Sequence, residues 1–479
     1  MFPVSTFAGR TVAVFGLART GVAAALALRA GGAEVLAWDD GEAGRERARA
    51  AGIEPRDPAS LGWSGIAALV MSPGVPVYGP RAHPLALAAQ AAGVPVIGDV
   101  ELFARQLATL DPASRPTVVG ITGTNGKSTT TALIAHVLTA CGRDVRLGGN
   151  IGTGILSLAP PRPGAVYVLE LSSYQLDLTT ALHCDVAIQL NLTPDHLERH
   201  GTMARYAQAK RAIFANQTSA DTAVIGVDDE WGEALVTRFL AGGERTVVPV
   251  SSGQALSRGV FAIGSMLWDS ADGNPVEAMD LAACQALPGP HNGQNAAAAW
   301  AAARALGLPR EAVAAAIASF PGLKHRLQKV AEVGGVAFFN DSKATNADAA
   351  AQALGAFPSL RWIAGGQPKS GGIEALAPLL DRVSKAYLIG EAAAAFAATL
   401  AGRVEHQLCG TMEAAVAAAY ADARAAVAAT DRAERIVLSP ACASFDQYAD
   451  FEARGDHFIT LVQDILNHGG GEASGGAGV

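Results

Sequence analysis

Two shortages limit what this 479-residue chain can be: it has few cysteines and fewer positive than negative charges. The five cysteines, Cys141, Cys184, Cys284, Cys409 and Cys442, are odd in number and scattered, so they offer no close pair for a disulfide or for zinc. A reducing cytoplasm suits such a chain. The net charge of −8 argues against nucleic acid as the main partner, yet leaves room for a small anion in a local basic pocket. No uncharged apolar run reaches membrane-spanning length, and no basic segment followed by an apolar core precedes the first strand-like run. A soluble, unprocessed protein without membrane insertion is therefore expected; a monomer is also expected, though no residue pattern fixes the oligomeric state. No solenoid-type repeat is visible, and the length exceeds what one ordinary core supports, so several domains are expected.

What the chain does have is Val119-Gly120-Ile121-Thr122-Gly123-Thr124-Asn125-Gly126-Lys127-Ser128-Thr129-Thr130. A β-branched run leads into a glycine turn, and Lys-Ser follows at the start of a helix. Gly123 and Gly126 allow a tight turn with its N–H groups facing inward, the helix offers its positive end, and Lys127 adds a full charge. This is a cradle for nucleotide phosphates, with Ser128 placed to hold Mg²⁺. The general phosphate-loop pattern wants a glycine where this chain has Ile121, so the loop is a shorter form.

The predicted fold class is α/β with three domains. Residues 1–110 open with strand Thr11–Phe15, the turn Gly16-Leu17-Ala18-Arg19-Thr20-Gly21, an alanine-rich helix and strand Glu34–Trp38, ending in Asp39-Asp40. This is the layout of a Rossmann-like βαβ unit. Ala18 occupies the position where backbone would approach a pyrophosphate, so NAD(P), another nucleotide-type ligand and plain packing all stay open. A strand running into Ser72-Pro73-Gly74 gives a second strand end where a ligand could sit. After a linker over Thr109–Thr117, block 111–322 predicts a P-loop ATPase-type, mostly parallel sheet from Thr117–Thr122, Ala165–Leu171, Val186–Leu192 and Thr222–Val227. A small antiparallel addition is expected from about Arg245 to Leu287, then a helix Asn295–Leu306. Block 323–467 predicts a second Rossmann-like unit with strands Val336–Asn340, Leu360–Ala364, Ala386–Ile389, Val404–Leu408 and Arg435–Leu438. The glycine-rich tail 468–479 predicts disorder.

Ligands of doubly wound sheets gather beyond the carboxyl ends of the strands, which selects several clusters. Glu170, after a buried-looking strand, is placed either to hold the Mg²⁺ that a phosphate loop needs or to cap a helix. His196 and His200 lack the companions of a zinc site and read as structural. Lys210 reads as a solvated helix lysine. Arg326, in Lys324-His325-Arg326, is suited to clamp a phosphate. Asp341-Ser342-Lys343-Ala344-Thr345-Asn346, Gly365-Gly366-Gln367-Pro368-Lys369-Ser370 and the run Leu438 to Phe445 are three strand-end loops in one domain, which favours a ligand cleft.

Together these motifs resemble the Mur ligases and folylpolyglutamate synthetases, whose ATP loop has this shorter spacing. The resemblance extends to Glu170 with Ser172-Ser173, Asn191 to His196, His291-Asn292 to Asn295, His325-Arg326 and Asp341 to Asn346, and covers all but the tail. The runs Leu438 to Gln447 and Phe451 to Gly455 are similar to the D-glutamate-adding branch. The Asp-Asn-Pro-Arg of the diaminopimelate-adding branch is not found. The resemblance implies an ATP-dependent amide ligase of peptidoglycan synthesis, acting on UDP-N-acetylmuramoyl-L-alanine and D-glutamate through an acyl phosphate. It implies that Gly123, Thr124, Asn125, Gly126, Lys127, Ser128, Thr129, Asn295, Arg326 and Asp341 bind ATP. Ser128 and Glu170 would hold one Mg²⁺ and His196 a second, while Lys210, reversing the residue-level reading, would be carbamylated. Lys343 and Thr345 would face the reacting groups, and Thr345, Lys369, Ser444, Phe445 and Phe451 would form the D-glutamate pocket. Leu17, Arg19, Thr20, Asp39, Ser72, Gly74 and Asn150 would contact the UDP-sugar. Another ligase of the family, or an NAD(P) oxidoreductase with an ATP-binding appendage, are the competing expectations.

Overall fold

In the computed structural model, which describes residues 2–60, 62–284, 286–368 and 371–469, the strands form three sheets. β1 (Thr11–Phe15), β2 (Glu34–Trp38), β3 (Ile66–Met71) and β4 (Val96–Ile97) pair in parallel in the order β2-β1-β3-β4. β1 and β3 are buried almost throughout, which is why they read as continuous apolar runs rather than alternating ones.

The second sheet contains β5 (Thr117–Thr122), β6 (Asp144–Gly149), β7 (Ala165–Glu170), β8 (Val186–Gln189), β9 (Thr222–Gly226), β10 (Thr246–Ser251), β11 (Val260–Ile263), β12 (Met266–Asp269) and β13 (Val276–Asp280). Their order is β13-β12-β11-β10-β9-β8-β5-β7-β6. From β5 the chain goes first to β6 and β7 on one side and then to β8 and β9 on the other. The carboxyl end of β5 is therefore the topological switch point, where a crevice opens in such sheets. The antiparallel character expected from about Arg245 begins only at β12. β10 and β11 continue the parallel sheet, and hairpins join β11, β12 and β13. β6 carries Arg146 and a Gly-Gly end, so it lacks the apolar run that exposed its neighbours to sequence reading.

The first two sheets share one core. Phe103 lies 5.1 Å, ring to ring, from both Phe2 and Tyr167, and the surrounding apolar cluster runs from Phe2 to Val236. They form a single compact unit, and the third sheet belongs to a second unit that takes up the chain from Pro321. That sheet has the order β14-β15-β19-β16-β17-β18, from β14 (Gln328–Val333), β15 (Val336–Asn340), β16 (Leu360–Gly365), β17 (Val383–Ile389), β18 (His406–Gly410) and β19 (Glu434–Leu438). β14, which the sequence pattern did not reveal, is an antiparallel edge strand, and the remaining pairs are parallel. Trp362 on β16 is fully buried and donates its ring N–H to Ser439 O at 2.8 Å. His468 and Gly469 close the last helix, Phe451–Gly469, and the rest of the predicted disordered tail lies outside the described residues. Among the described residues no helix is long and apolar enough to cross a membrane.

Candidate active site

The turn after β5 is held in shape by side chains that come from far along the chain. Gly123 (φ 153°) and Gly126 (φ 80°) occupy conformations that disfavour side chains, and the helix Lys127–Ala140 starts directly after Gly126. A Cβ on Gly126 would sit 2.3 Å from Asn295 Oδ1, the atom that accepts a hydrogen bond from Thr130 Oγ1. Asn191 brackets the turn from the other side: its Oδ1 accepts from Asn125 N–H at 2.8 Å and its Nδ2 donates to Gln294 Oε1 at 3.0 Å. Thr124 Oγ1 lies 3.1 Å from Tyr206 OH. The cradle is thus formed by protein contacts alone.

Two amines converge on one carbonyl of this turn. Lys127 Nζ donates to Gly123 O at 3.0 Å and to Thr124 O at 2.7 Å, and Lys210 Nζ donates to Gly123 O at 2.7 Å. Lys210 is 2% exposed, so the expectation of a solvated helix lysine fails: the helix Met203–Arg211 turns this residue inward beneath the loop. Burial, reinforced by the nearby Lys127 charge, drives its pKa well below the ordinary lysine value. The shift enlarges the neutral, nucleophilic fraction of the amine at any given pH.

Glu170 ends β7 beside β5. Its Oε1 accepts from Asn150 Nδ2 at 3.0 Å, while its Oε2 is buried and accepts no hydrogen bond among the described residues. A buried, unsatisfied carboxylate oxygen calls for a partner, and together with the buried Ser128 it fits a hard, oxygen-seeking cation. The capping alternative for Glu170 does not hold, because Ser172 and Gln175 form the capping box of the helix Ser173–Leu176. His196 sits at φ 53°, an uncommon backbone for a residue with a side chain, and its Nδ1 is 3.0 Å from Tyr174 OH. His200 does not join it. It is buried against Ser173 Oγ, and burial pushes its imidazole down to about 4.

In the first sheet Ser72 Oγ donates to Gly16 O, and Leu17 is buried with its N–H on Asp39 Oδ2 (2.6 Å) and its carbonyl taken by Arg47. Asp39 Oδ1 accepts from Gly41 N–H, so both of its oxygens already bond to backbone. Arg19 and Gly74 are exposed at the strand ends and Thr20 is half-buried. Asn150, expected at the sugar, is bound to Glu170.

In the second unit Asp341 is buried and accepts from Ser439 Oγ at 2.8 Å and from Leu327 N–H at 3.1 Å, and burial raises it to about 7. Arg326 lies between His325 and Leu327, both at positive φ, and its Nε is buried with no hydrogen-bond acceptor among the described residues. Lys343 Nζ lies 5.8 Å from the Phe451 ring centre, Thr345 N–H is bonded to Lys343 O, Ser444 is buried, and Phe445 is 67% exposed. Lys369 lies outside the described residues. Sequence reasoning gave Arg454 no role, yet its buried guanidinium donates to Ser342 Oγ, Ser342 O, Cys442 O and Ala443 O. It fastens the 341–346 loop to the 439–446 loop.

One cluster elsewhere is structural. His183, Asp185 and Asp221 lie together at the amino ends of the strands, where Asp185 accepts from Val118 N–H and Asp221 from His183 and Thr218.

Residues 121–303 match the Mur ligase middle domain and residues 325–442 the Mur ligase, glutamate ligase domain. A UDP-N-acetylmuramoylalanine--D-glutamate ligase of Phenylobacterium zucineum (strain HLK1) is 56% identical, covering 98% of this chain and 99% of that one. Another protein of the same name from Rhizobium etli is 51% identical over 96% of each. Among solved structures, a UDP-N-acetylmuramate-alanine ligase from Thermotoga maritima superposes with a TM-score of 0.56 at 18% identity, covering 95% of this chain and 99% of its own, a likeness of fold.

Proposed function

The chain belongs to the Mur ligase family, and on that premise we propose that it joins D-glutamate to UDP-N-acetylmuramoyl-L-alanine at the expense of ATP, as a cytoplasmic monomer. The observation that carries this reading is the cradle itself: a glycine turn opening a helix, two amines beneath it and a buried carboxylate oxygen that accepts no hydrogen bond among the described residues.

A carboxylate is a poor electrophile, so the alanyl carboxylate must be activated before an amine can displace oxygen from it. One of its oxygens attacks the γ-phosphorus of ATP, the bond to the β,γ-bridging oxygen breaks, and an acyl phosphate and ADP result. Both reactants are anions, so catalysis here is mainly alignment and charge neutralisation. Lys127 and the inward N–H groups of residues 123–129 take the β- and γ-phosphates. Ser128 and Glu170 would hold one Mg²⁺ and His196 a second, and such ions would supply charge that screens the repulsion between carboxylate and phosphate. Lys210 Nζ adds to CO₂ with loss of a proton, giving a carbamate whose negative charge would help to place the metal-bound substrate. The depressed pKa of this amine supports that step, since only the neutral amine adds to CO₂.

The amine of D-glutamate then attacks the acyl carbon, and the tetrahedral intermediate collapses to the amide and phosphate. Lys343 and Thr345 serve the reacting groups, Ser444, Phe445 and Phe451 with Lys369 bind D-glutamate, and Asn295, Arg326 and Asp341 bind the nucleotide. Arg326's unsatisfied Nε supports an anionic partner there. The UDP-sugar is assigned to Arg19, Thr20, Ser72 and Gly74, with Leu17 and Asp39 shaping their turn.

Phosphate release with UDP-N-acetylmuramoyl-L-alanine and a panel of amino acids tests the assignment. Turnover is expected with D-glutamate, and turnover with L-alanine or L-lysine but none with D-glutamate overturns it. A carbamate ¹³C resonance after ¹³C-bicarbonate labelling, absent in Lys210→Ala, tests the modification, and size-exclusion with light scattering tests the monomer.

A further inference from the structure

Tyr174 stands between the imidazole of His196 and the carboxylate of Glu198. Its hydroxyl is 3.0 Å from His196 Nδ1 and donates to Glu198 Oε1 at 3.3 Å. A phenol has one proton to give, and an ionised carboxylate can only accept. With that proton committed to Glu198, the phenol oxygen is left to accept, and the group facing it must be Nδ1–H. Of the two neutral tautomers this selects the one whose Nε2 carries a bare lone pair, the form that ligates a metal. Nε2 in turn lies 3.4 Å from Asp195 Oδ2, and Asp195 Oδ1 accepts from His196 N–H at 2.9 Å. A lone pair beside a carboxylate oxygen is an unfavourable pair that a cation between them converts into two ligands.

The backbone supports the same orientation. His196 is held in the left-handed region, an unfavourable backbone for a non-glycine residue, and the surrounding contacts must maintain it. The Tyr174 ring is itself fixed, with the Arg199 guanidinium 5.2 Å from its centre and the His200 ring 5.7 Å away. Tyr174 lies three residues beyond Leu171 in the run that follows Glu170, so one short segment carries a proposed ligand of the first cation and the orienter of the second.

We infer that Tyr174, backed by Glu198, is a positioning residue that fixes the tautomer and direction of His196 so that its Nε2 and Asp195 receive a divalent cation. The inference rests on the reading of His196 as a cation ligand.

The test uses the full chain, Mn²⁺ as the probe, and ¹⁵N-histidine-labelled protein in which the His196 ring signals are assigned by their loss in His196→Ala. In the wild type the ring is expected as the Nδ1–H tautomer. In Tyr174→Phe, which keeps the ring and removes only the hydroxyl, that preference is lost. Mn²⁺ affinity at the His196-dependent site, followed by the electron paramagnetic resonance of free ion, falls about 10-fold. Glu198→Gln is expected to give a smaller drop in the same direction. An unchanged tautomer or an unchanged affinity in Tyr174→Phe overturns the relay. Unchanged Mn²⁺ binding in His196→Ala instead removes the ligand assignment beneath it, so the two failures are distinguishable.

Discussion

The phosphate loop of the larger unit and the paired loops of the smaller one solve the same problem, holding polar backbone still at strand ends, with opposite uses of charge. Around Gly123 the amines of Lys127 and Lys210 donate to backbone carbonyls of the turn, Lys210 also to the Thr122 hydroxyl, and neutral side chains, Asn191, Asn295 and Thr124, brace the turn as well. In the smaller unit the cation is spent on the scaffold: Arg454 binds three carbonyls and a hydroxyl, and the acid Asp341 is buried on Ser439. The lesson is that the role of a charged residue follows from its surroundings: Lys127 stands at a glycine turn that opens a helix, whereas Arg454 is enclosed by carbonyls of two loops.

Breaking the architectural charge should have the largest effect. Arg454→Ala orphans four acceptors and is expected to destabilise the protein by about 3–5 kcal/mol in urea titration, with Arg454→Lys recovering only part, since an ammonium cannot reproduce the planar fork. Breaking the chemical charge should spare the fold. Lys127→Ala is expected to lower ligation by about 10²–10³-fold while circular dichroism and urea midpoint stay at wild-type values. Comparable destabilisation by both substitutions would erase the distinction.

The neutral fixing of the phosphate loop can be probed by Gly126→Ala, which forces a side chain into positive φ against Asn295. A loss of about 1–3 kcal/mol and a raised KM for ATP are expected, measured by thermal unfolding and by steady-state kinetics.

The last effect concerns pH. Burial raises Asp341 to about 7, whereas an unfolded aspartate titrates near about 4. The fold therefore retains a proton that the unfolded chain loses. The stability this proton gives is full below about pH 4 and is lost as pH climbs to about 7. Asp341→Asn, permanently uncharged, is expected to flatten the urea-midpoint profile between about pH 4 and about 7.

The sequence was most readable where apolar runs and glycine turns coincide. β1, β2 and β15 fall at the residues expected of them, and the turn at Gly123 to Ser128 declares itself through the backbone conformations that glycine permits. Strands without an apolar run, β6 and β14, left no such trace. Burial of a charged residue was not readable from its neighbours. Lys210 has Arg211 beside it and no periodic clue to its inward face, so its environment is set by the packing of its helix under β5 and the loop, a tertiary fact. Arg454 was invisible as a clamp for the same reason, because its acceptors at Ser342, Cys442 and Ala443 come from loops far away in sequence. Asp39 shows the reverse case: the dinucleotide-like spacing was real, but the acid staples its own turn.

Trp362 has a practical consequence. It is the one tryptophan in the sequence after residue 300, it is fully buried, and its ring N–H is bonded to the carbonyl of Ser439, whose hydroxyl meets Asp341. An indole so placed is a built-in optical gauge. With the five earlier tryptophans replaced by phenylalanine, its emission reads the state of Asp341 and the loop beside it without any attached dye.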